Sequence, residues 1–162
     1  MASGLELRRA GATDTSLLHA MLQELAEATG HSGAISGTPK DLLKYGFGDD
    51  PRFFAVLATV DGGNAGMLLA FPEYSSWRGC PGIYVQDLYV RKEYRSLGIA
   101  HALLAEAARE AARMGGSYLR LSVAAKNEPA ARFYSKAGFT ESTEERMFVC
   151  EGPTFTAMCG HD

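Results

Sequence analysis

Arg95-Ser96-Leu97-Gly98-Ile99-Ala100 places a cation and then small residues at the mouth of an amphipathic run. In that run Ala100, Leu103, Leu104, Ala107, Ala108 and Ala111 recur at i, i+3, i+4 and i+7, the period of a helix with one apolar stripe. His101, Glu106, Arg109, Glu110 and Arg113 fall largely off the stripe, and Gly115-Gly116 supplies a left-handed stop. A helix start presents four backbone N–H groups without internal partners, together with the positive end of the macrodipole. With Gly98 and Ala100 allowing close approach, this end suits an anion, and a pyrophosphate best of all. No Gly-Lys-Ser/Thr follows the glycine and the spacing is not G-x-G-x-x-G, which disfavours a nucleoside triphosphatase and a dinucleotide fold. Just upstream, Asp87 is the one acid on its strand, where a charge beside buried neighbours is costly unless it is paired or used.

The elements that must hold these groups follow from periodicity. Leu5–Arg9 alternates as a first strand, and Thr13 or Asp14 can cap a helix with the stripe Leu17, Leu18, Met21, Leu22 and Leu25. Three glycines break the chain over Thr29–Gly37, and Thr38-Pro39 starts a short helix lined by Leu42, Leu43 and Tyr45 and ended by Gly46. Phe53–Val60 and Ala65–Phe71 read as a hairpin joined by Asp61-Gly62-Gly63-Asn64. Tyr74–Gly82 reads as a loop, Ile83–Val90 as the strand leading to the anion site, and Tyr118–Val123 as a half-buried strand. Asn127 caps a helix running to Ala137 that Gly138 ends, and Arg146–Cys150 is expected to be a last strand. Strands and helices interspersed, with a hairpin among them, predict an α/β (α+β) domain over residues 1–162 with a mixed sheet.

The whole chain agrees with one soluble domain. Its 162 residues are enough for a sizeable core, and 46% hydrophobic with 22% charged residues is ordinary for a globular protein. A net charge of −3 gives no general attraction to nucleic acid. The three cysteines Cys80, Cys150 and Cys159 are odd in number and form no C-x-x-C, which argues against a disulfide framework or a zinc site. No apolar h-region or membrane-length apolar run is present, so a cytoplasmic protein that does not bind membranes is expected.

Arg-x-x-Gly-x-Ala after Asp87-Leu88-Tyr89-Val90 resembles the acetyl-CoA signature of the GNAT N-acetyltransferases. Asn127–Phe139 (NEPAARFYSKAGF) resembles the second acetyl-CoA motif of that family, in the right order. The resemblance implies a twisted sheet of six or seven strands with helices on both faces, and a splay between the Tyr84–Val90 and Tyr118–Val123 strands. It implies that acetyl-CoA lies along Leu88, Tyr89 and Val90, with its pyrophosphate on Arg95, Ser96, Leu97, Gly98, Ile99 and Ala100. Asn127, Ala130 and Phe133 complete that implied cofactor set. Tyr134 matches the tyrosine that serves as general acid toward the leaving sulfur, a role that a phenol with a pKa of about 10 suits. Asp87 is the candidate amine anchor or water-mediated base.

Asp41–Pro51 (DLLKYGFGDDP), Tyr74–Gly79 (YSSWRG), Tyr84–Val90 and Asn127–Ala130 are similar to the spermidine/spermine and thialysine acetyltransferase subgroup. Trp77 matches a tryptophan of the acceptor pocket there, and a homodimer is implied. The subgroup's two polyamine-binding acids align with Gln86 and Thr29, while its motif tryptophan is Lys126 and the second loop glycine is Ala100. The expected activity is acetyl transfer to a primary amine of a small molecule, without a metal or a covalent intermediate. The alternatives are acetylation of a protein or peptide amine, and a non-catalytic acyl-CoA-binding module. Residues 26–48 and 72–82 are expected to form the acceptor loops.

Overall fold

The computed structural model describes residues 4–160, which fall into two compact units, residues 4–127 and 128–160. The first carries strands β1 (Leu5–Arg9), β2 (Phe54–Val60), β3 (Gly63–Ser75), β4 (Cys80–Val90) and β5 (Leu119–Leu121), with helices α1 (Thr15–Ala28), α2 (Pro39–Phe47) and α3 (Ile99–Arg113). The five strands lie in sequence order in one sheet, antiparallel except for the parallel β4–β5 pair. The β2–β3 turn is tighter than the four residues expected. Asp61 and Gly62 both take positive φ (49° and 80°), as a two-residue hairpin turn requires, and Val60 already pairs with Gly63.

Tyr74–Gly82, expected as a loop, belongs mostly to a second hairpin: β3 runs to Ser75 and β4 starts at Cys80. Ladder pairing of residues 72–75 with 80–83 outweighs their loop-like composition.

Two apolar layers sandwich the sheet. On one face Leu18 and Met21 of α1 pack with Ala10, Ala55, Leu57 and Met67, joined by Leu42 and Phe47 of α2 and by Tyr89. Alternation puts Phe54, Val56, Leu68, Ala70, Ile83 and Val85 on the other face, all buried, and α3 packs there through Ile99, Leu103, Leu104, Ala107 and Ala111. Ala108 of the predicted stripe is exposed. Gly115 (φ 78°) ends α3: its N–H donates to Ala112 C=O at 3.0 Å and that of Gly116 to Ala111 C=O at 2.8 Å. In α2 a reciprocal Thr38–Asp41 capping box sets the start, while the end falls at Phe47, one residue beyond Gly46. Gly46 is buried inside the helix, where a Cβ would collide with the Phe53 ring.

The second unit holds α4 (Glu128–Lys136) and α5 (Gly152–Met158). The strand expected at Arg146–Cys150 does not form. Met147, Phe148 and Val149 are exposed, and among the described residues the sheet has five strands rather than six or seven. A short apolar run does not make a strand when no edge is paired with it.

Candidate active site

One irregularity in β4 sets the stage. Leu69 pairs with Asp87 but the next residue, Ala70, pairs with Val85, so Gln86 is an extra, bulged residue. The bulge shifts the alternation by one. Tyr84, Asp87 and Tyr89 therefore share the face of Phe71, Leu69 and Met67, the side on which α1 and α2 pack. Gln86 itself is exposed.

Beyond the bulge β4 has an open edge. Its pairing with β5 covers only Ile83–Leu119, Tyr84–Arg120 and Val85–Leu121, and the Tyr84 hydroxyl meets Ser122 Oγ at 2.8 Å where the strands part. The predicted splay is present. The Arg91 N–H donates back into β3, to Ala65 C=O at 2.9 Å. Since successive residues of an antiparallel strand point their peptide groups to opposite sides, Tyr89 also faces β3, while Leu88 and Val90 face the opening. Leu88 and Val90 are two of the three residues along which the resemblance implies acetyl-CoA lies. The Val90 carbonyl meets Arg95 Nε at 3.2 Å.

Arg95 opens the loop that precedes α3. Ser96 (φ 64°) and Gly98 (φ 78°) are both left-handed, and the N-cap, Gly98, supplies no side-chain bond to the helix start. Alternating left-handed residues curl successive N–H groups into a concavity suited to an anion. A Cβ at Gly98 would meet nothing within 4 Å, so the requirement there is for positive φ with open space in front of the backbone. These residues fit a pyrophosphate.

Asp87 is half-buried and has no hydrogen-bond or ion-pair partner among the described residues. Burial pushes its carboxyl up to about 6. Glu24 of α1 is differently placed. Arg91 donates to both its oxygens, Nε at 3.0 Å and Nη2 at 2.8 Å. The Arg91 fork holds the Glu24 carboxyl below its ordinary value. Sequence reasoning missed Arg91, because nothing local marks a pair separated by 67 positions.

Thr29 closes α1, its hydroxyl donating to Leu25 C=O at 2.9 Å, and Trp77 stands fully exposed at the tip of the β3–β4 hairpin. Asn127 is half-buried, and its N–H donates to Ala124 C=O at 2.8 Å.

In the second unit Ala130, Phe133 and Tyr134 are half-buried residues of α4. The Tyr134 ring lies edge-on to Phe133 (5.1 Å between centroids) and to Phe139 (5.5 Å). Gly138 (φ 93°) turns the chain so that the Phe139 N–H donates to Tyr134 C=O at 2.9 Å, which seats that ring. Burial pushes the Tyr134 phenol up to about 12.

The family model described as "Acetyltransferase (GNAT) family" matches residues 18–139, which include the splayed strand, the loop and α4. The chain is a GNAT acetyltransferase. It is 31% identical to the thialysine N-epsilon-acetyltransferase of Sus scrofa over 171 residues, covering 99% of each chain. It is 27% identical to the spermidine/spermine N(1)-acetyltransferase-like protein 1 of Homo sapiens over 147 residues, 86% of this chain and 21% of that one. An integron cassette protein from the mobile metagenome of V. cholerae shares the fold, with a TM-score of 0.79 at 18% identity over 98% of this chain and 99% of that one. As a GNAT enzyme it is an acetyl-CoA-dependent N-acetyltransferase. Among the described residues no helix is long and apolar enough to cross a membrane, and no three His, Cys, Asp or Glu side chains gather as metal ligands.

Proposed function

We propose that this GNAT enzyme acetylates a primary amine of a small molecule, a short diamine or a lysine-like amino acid in preference to a long polyamine. The observation that carries the reading is the contrast between Asp87 and the other residues considered for binding the acceptor's charge. Asp87 is a half-buried carboxylate without a partner, whereas Glu24 is held by Arg91, and Gln86 and Thr29 are neutral. A polyamine needs a carboxylate near each bound ammonium, since charge-assisted hydrogen bonds are roughly twice as strong as neutral ones. One unpaired carboxylate suits an acceptor that brings one ammonium to this face.

Acetyl-CoA supplies an acyl thioester whose carbon accepts the amine nitrogen as the C–S bond breaks. Asp87, at about 6, is ionised at neutral pH and anchors the acceptor's ammonium; the proton shed before attack leaves through water beside it. An N–H of the open β4 edge near Leu88 polarises the thioester carbonyl. Tyr134, at about 12, stays wholly in its donor form and hydrogen-bonds the charge that develops on sulfur. A phenol so raised is a weaker acid than a thiol, whose ordinary pKa is about 8.5, so its contribution is charge stabilisation and the sulfur's final proton comes from solvent.

The test is a screen for free coenzyme A thiol over spermine, spermidine, short diamines, lysine and ornithine analogues, aminoglycosides and peptides. The highest kcat/KM is expected among the short diamines and lysine-like amino acids. A higher kcat/KM for spermine or spermidine than for every mono- or diamine overturns the acceptor reading, and turnover with peptides alone replaces it. Binding of acetyl-CoA without turnover of any amine would leave a binding module.

A further inference from the structure

The Glu24–Arg91 pair joins the acceptor-side helix α1 to the residue that immediately follows β4, and the surroundings of Arg91 show what it supports. Beyond the two bonds to Glu24, Arg91 Nη1 donates to Asn64 C=O at 3.1 Å and its backbone N–H to Ala65 C=O at 2.9 Å. Its own carbonyl accepts from the Tyr94 N–H at 3.0 Å, closing the 3₁₀ turn Lys92–Tyr94 that leads to Arg95. Tyr94 sits over Gly63, where a Cβ would collide with its hydroxyl. Arg91 is therefore the joint at which α1, the start of β3, the end of β4 and the base of the 95–100 loop meet.

That loop needs a firm base. Ser96 holds a left-handed φ of 64° without being glycine, a conformation that persists only where the surroundings over-determine it. A cradle of backbone N–H groups selects an anion by geometry fixed in advance, and small displacements weaken it.

We propose that Glu24 and Arg91 act together as positioning residues for the cofactor loop, fixing the N–H groups of residues 95–100 where the pyrophosphate of acetyl-CoA is bound. The inference rests on the reading that this loop holds the pyrophosphate. Both side chains are mostly shielded, 33% and 25% exposed, and the planar two-bond fork is a geometry that lysine does not reproduce. Arg91 already has its charge matched by Glu24, so its role toward the anion is indirect.

That distinction gives the test a sign. Full-length wild type, Glu24→Gln, Arg91→Lys and the double variant are titrated calorimetrically with coenzyme A and assayed with varied acetyl-CoA and varied acceptor, with thermal melts as fold controls. Each single variant is expected to raise the coenzyme A Kd on the order of tenfold, and the double variant no more, because both singles break one pair. KM for acetyl-CoA should follow that Kd while KM for the acceptor stays put. Should Glu24→Gln not fold, Arg91→Lys, which keeps the charge, carries the test. Unchanged Kd in a folded variant with a lower melting temperature makes the pair merely structural and overturns the proposal. Tighter binding by Glu24→Gln overturns it too, since a freed Arg91 would then be a direct phosphate ligand. If wild type does not bind coenzyme A, the loop reading falls and this inference with it; if wild type binds and the variants match it, only this inference falls.

Discussion

Asp14 and Asp87 are both shielded carboxylates, and they sit in opposite electrostatic conditions. At the β1–α1 junction Arg8 donates to both oxygens of Asp14, at 2.8 and 2.7 Å, and the Gly11 N–H adds a third bond at 2.8 Å. The Arg8 fork, with that N–H, holds the Asp14 carboxyl down to about 2. Asp87 has no such partner, and burial raises it to about 6. A paired carboxylate ties elements together. An unpaired one on a strand beside an open edge carries an electrostatic cost that a proton or a cationic ligand relieves.

The strongest way to break this contrast is to remove Asp87's charge without changing its shape. Asp87→Asn should cut kcat/KM for the amine by about 10²–10⁴-fold at pH 7.5, the usual range for a proton-handling group. Coenzyme A binding should hold. In wild type, kcat/KM should climb with pH through about 6 as Asp87 ionises, and the variant should lose that limb. A limb that survives in Asp87→Asn assigns the titration to another group.

Tyr134 extends the comparison to a buried group that works while neutral. Tyr134→Phe keeps the ring against Phe133 and Phe139 and deletes one donor, so turnover should fall by about 10²–10³-fold, the usual loss for one such donor. Near-normal turnover with the identified acceptor would take Tyr134 out of the mechanism.

Asp14→Asn should leave kinetics alone and lower stability by about 1–2 kcal/mol at pH 7, a range discounted because Arg8 is half exposed. The folded value lies below the unfolded one of about 3.9, so this stabilisation is present above pH 4 and is lost as pH falls through about 2. Denaturant melts of the two proteins should therefore converge near pH 2.

The smallest effect has the opposite sign. Asp87's folded value lies above its unfolded one, so its favourable contribution is complete below pH 4 and is lost as pH rises through about 6. Asp87→Asn should match wild type near pH 4 and exceed its stability by on the order of 1–2 kcal/mol at pH 8. A variant less stable than wild type at pH 8 would mean that Asp87 is held by a structural bond, and the contrast with Asp14 would collapse.

Local patterns were enough to read several helix and turn boundaries. The apolar stripe of α3 (apart from Ala108), the Gly115-Gly116 stop and the helix start at Thr38-Pro39 follow from backbone geometry that a few adjacent residues dictate, and each appears in the structure. The hairpin over Asp61–Asn64 closes with two residues instead of four. The start of α3 was equally legible, because a helix start and its glycine are neighbours in the chain. The limits of local reading show at Arg146–Cys150. Its apolar Met147, Phe148 and Val149 suit a strand, but a strand exists only through pairing, and the chain there has none.

The remaining features belong to tertiary structure because they are relations between distant segments. The bulge at Gln86 is defined by the register of β4 against β3, and it decides that Asp87 shares a face with Tyr84 instead of Val85. Glu24's availability to an acceptor depends on an arginine 67 positions away. Sequence alone put Asp87 on the strand that became β4 and Gly98 at the start of α3. Which carboxylate remained unpaired was decided when the sheet and α1 came together, since burial and pairing are properties of the packed chain.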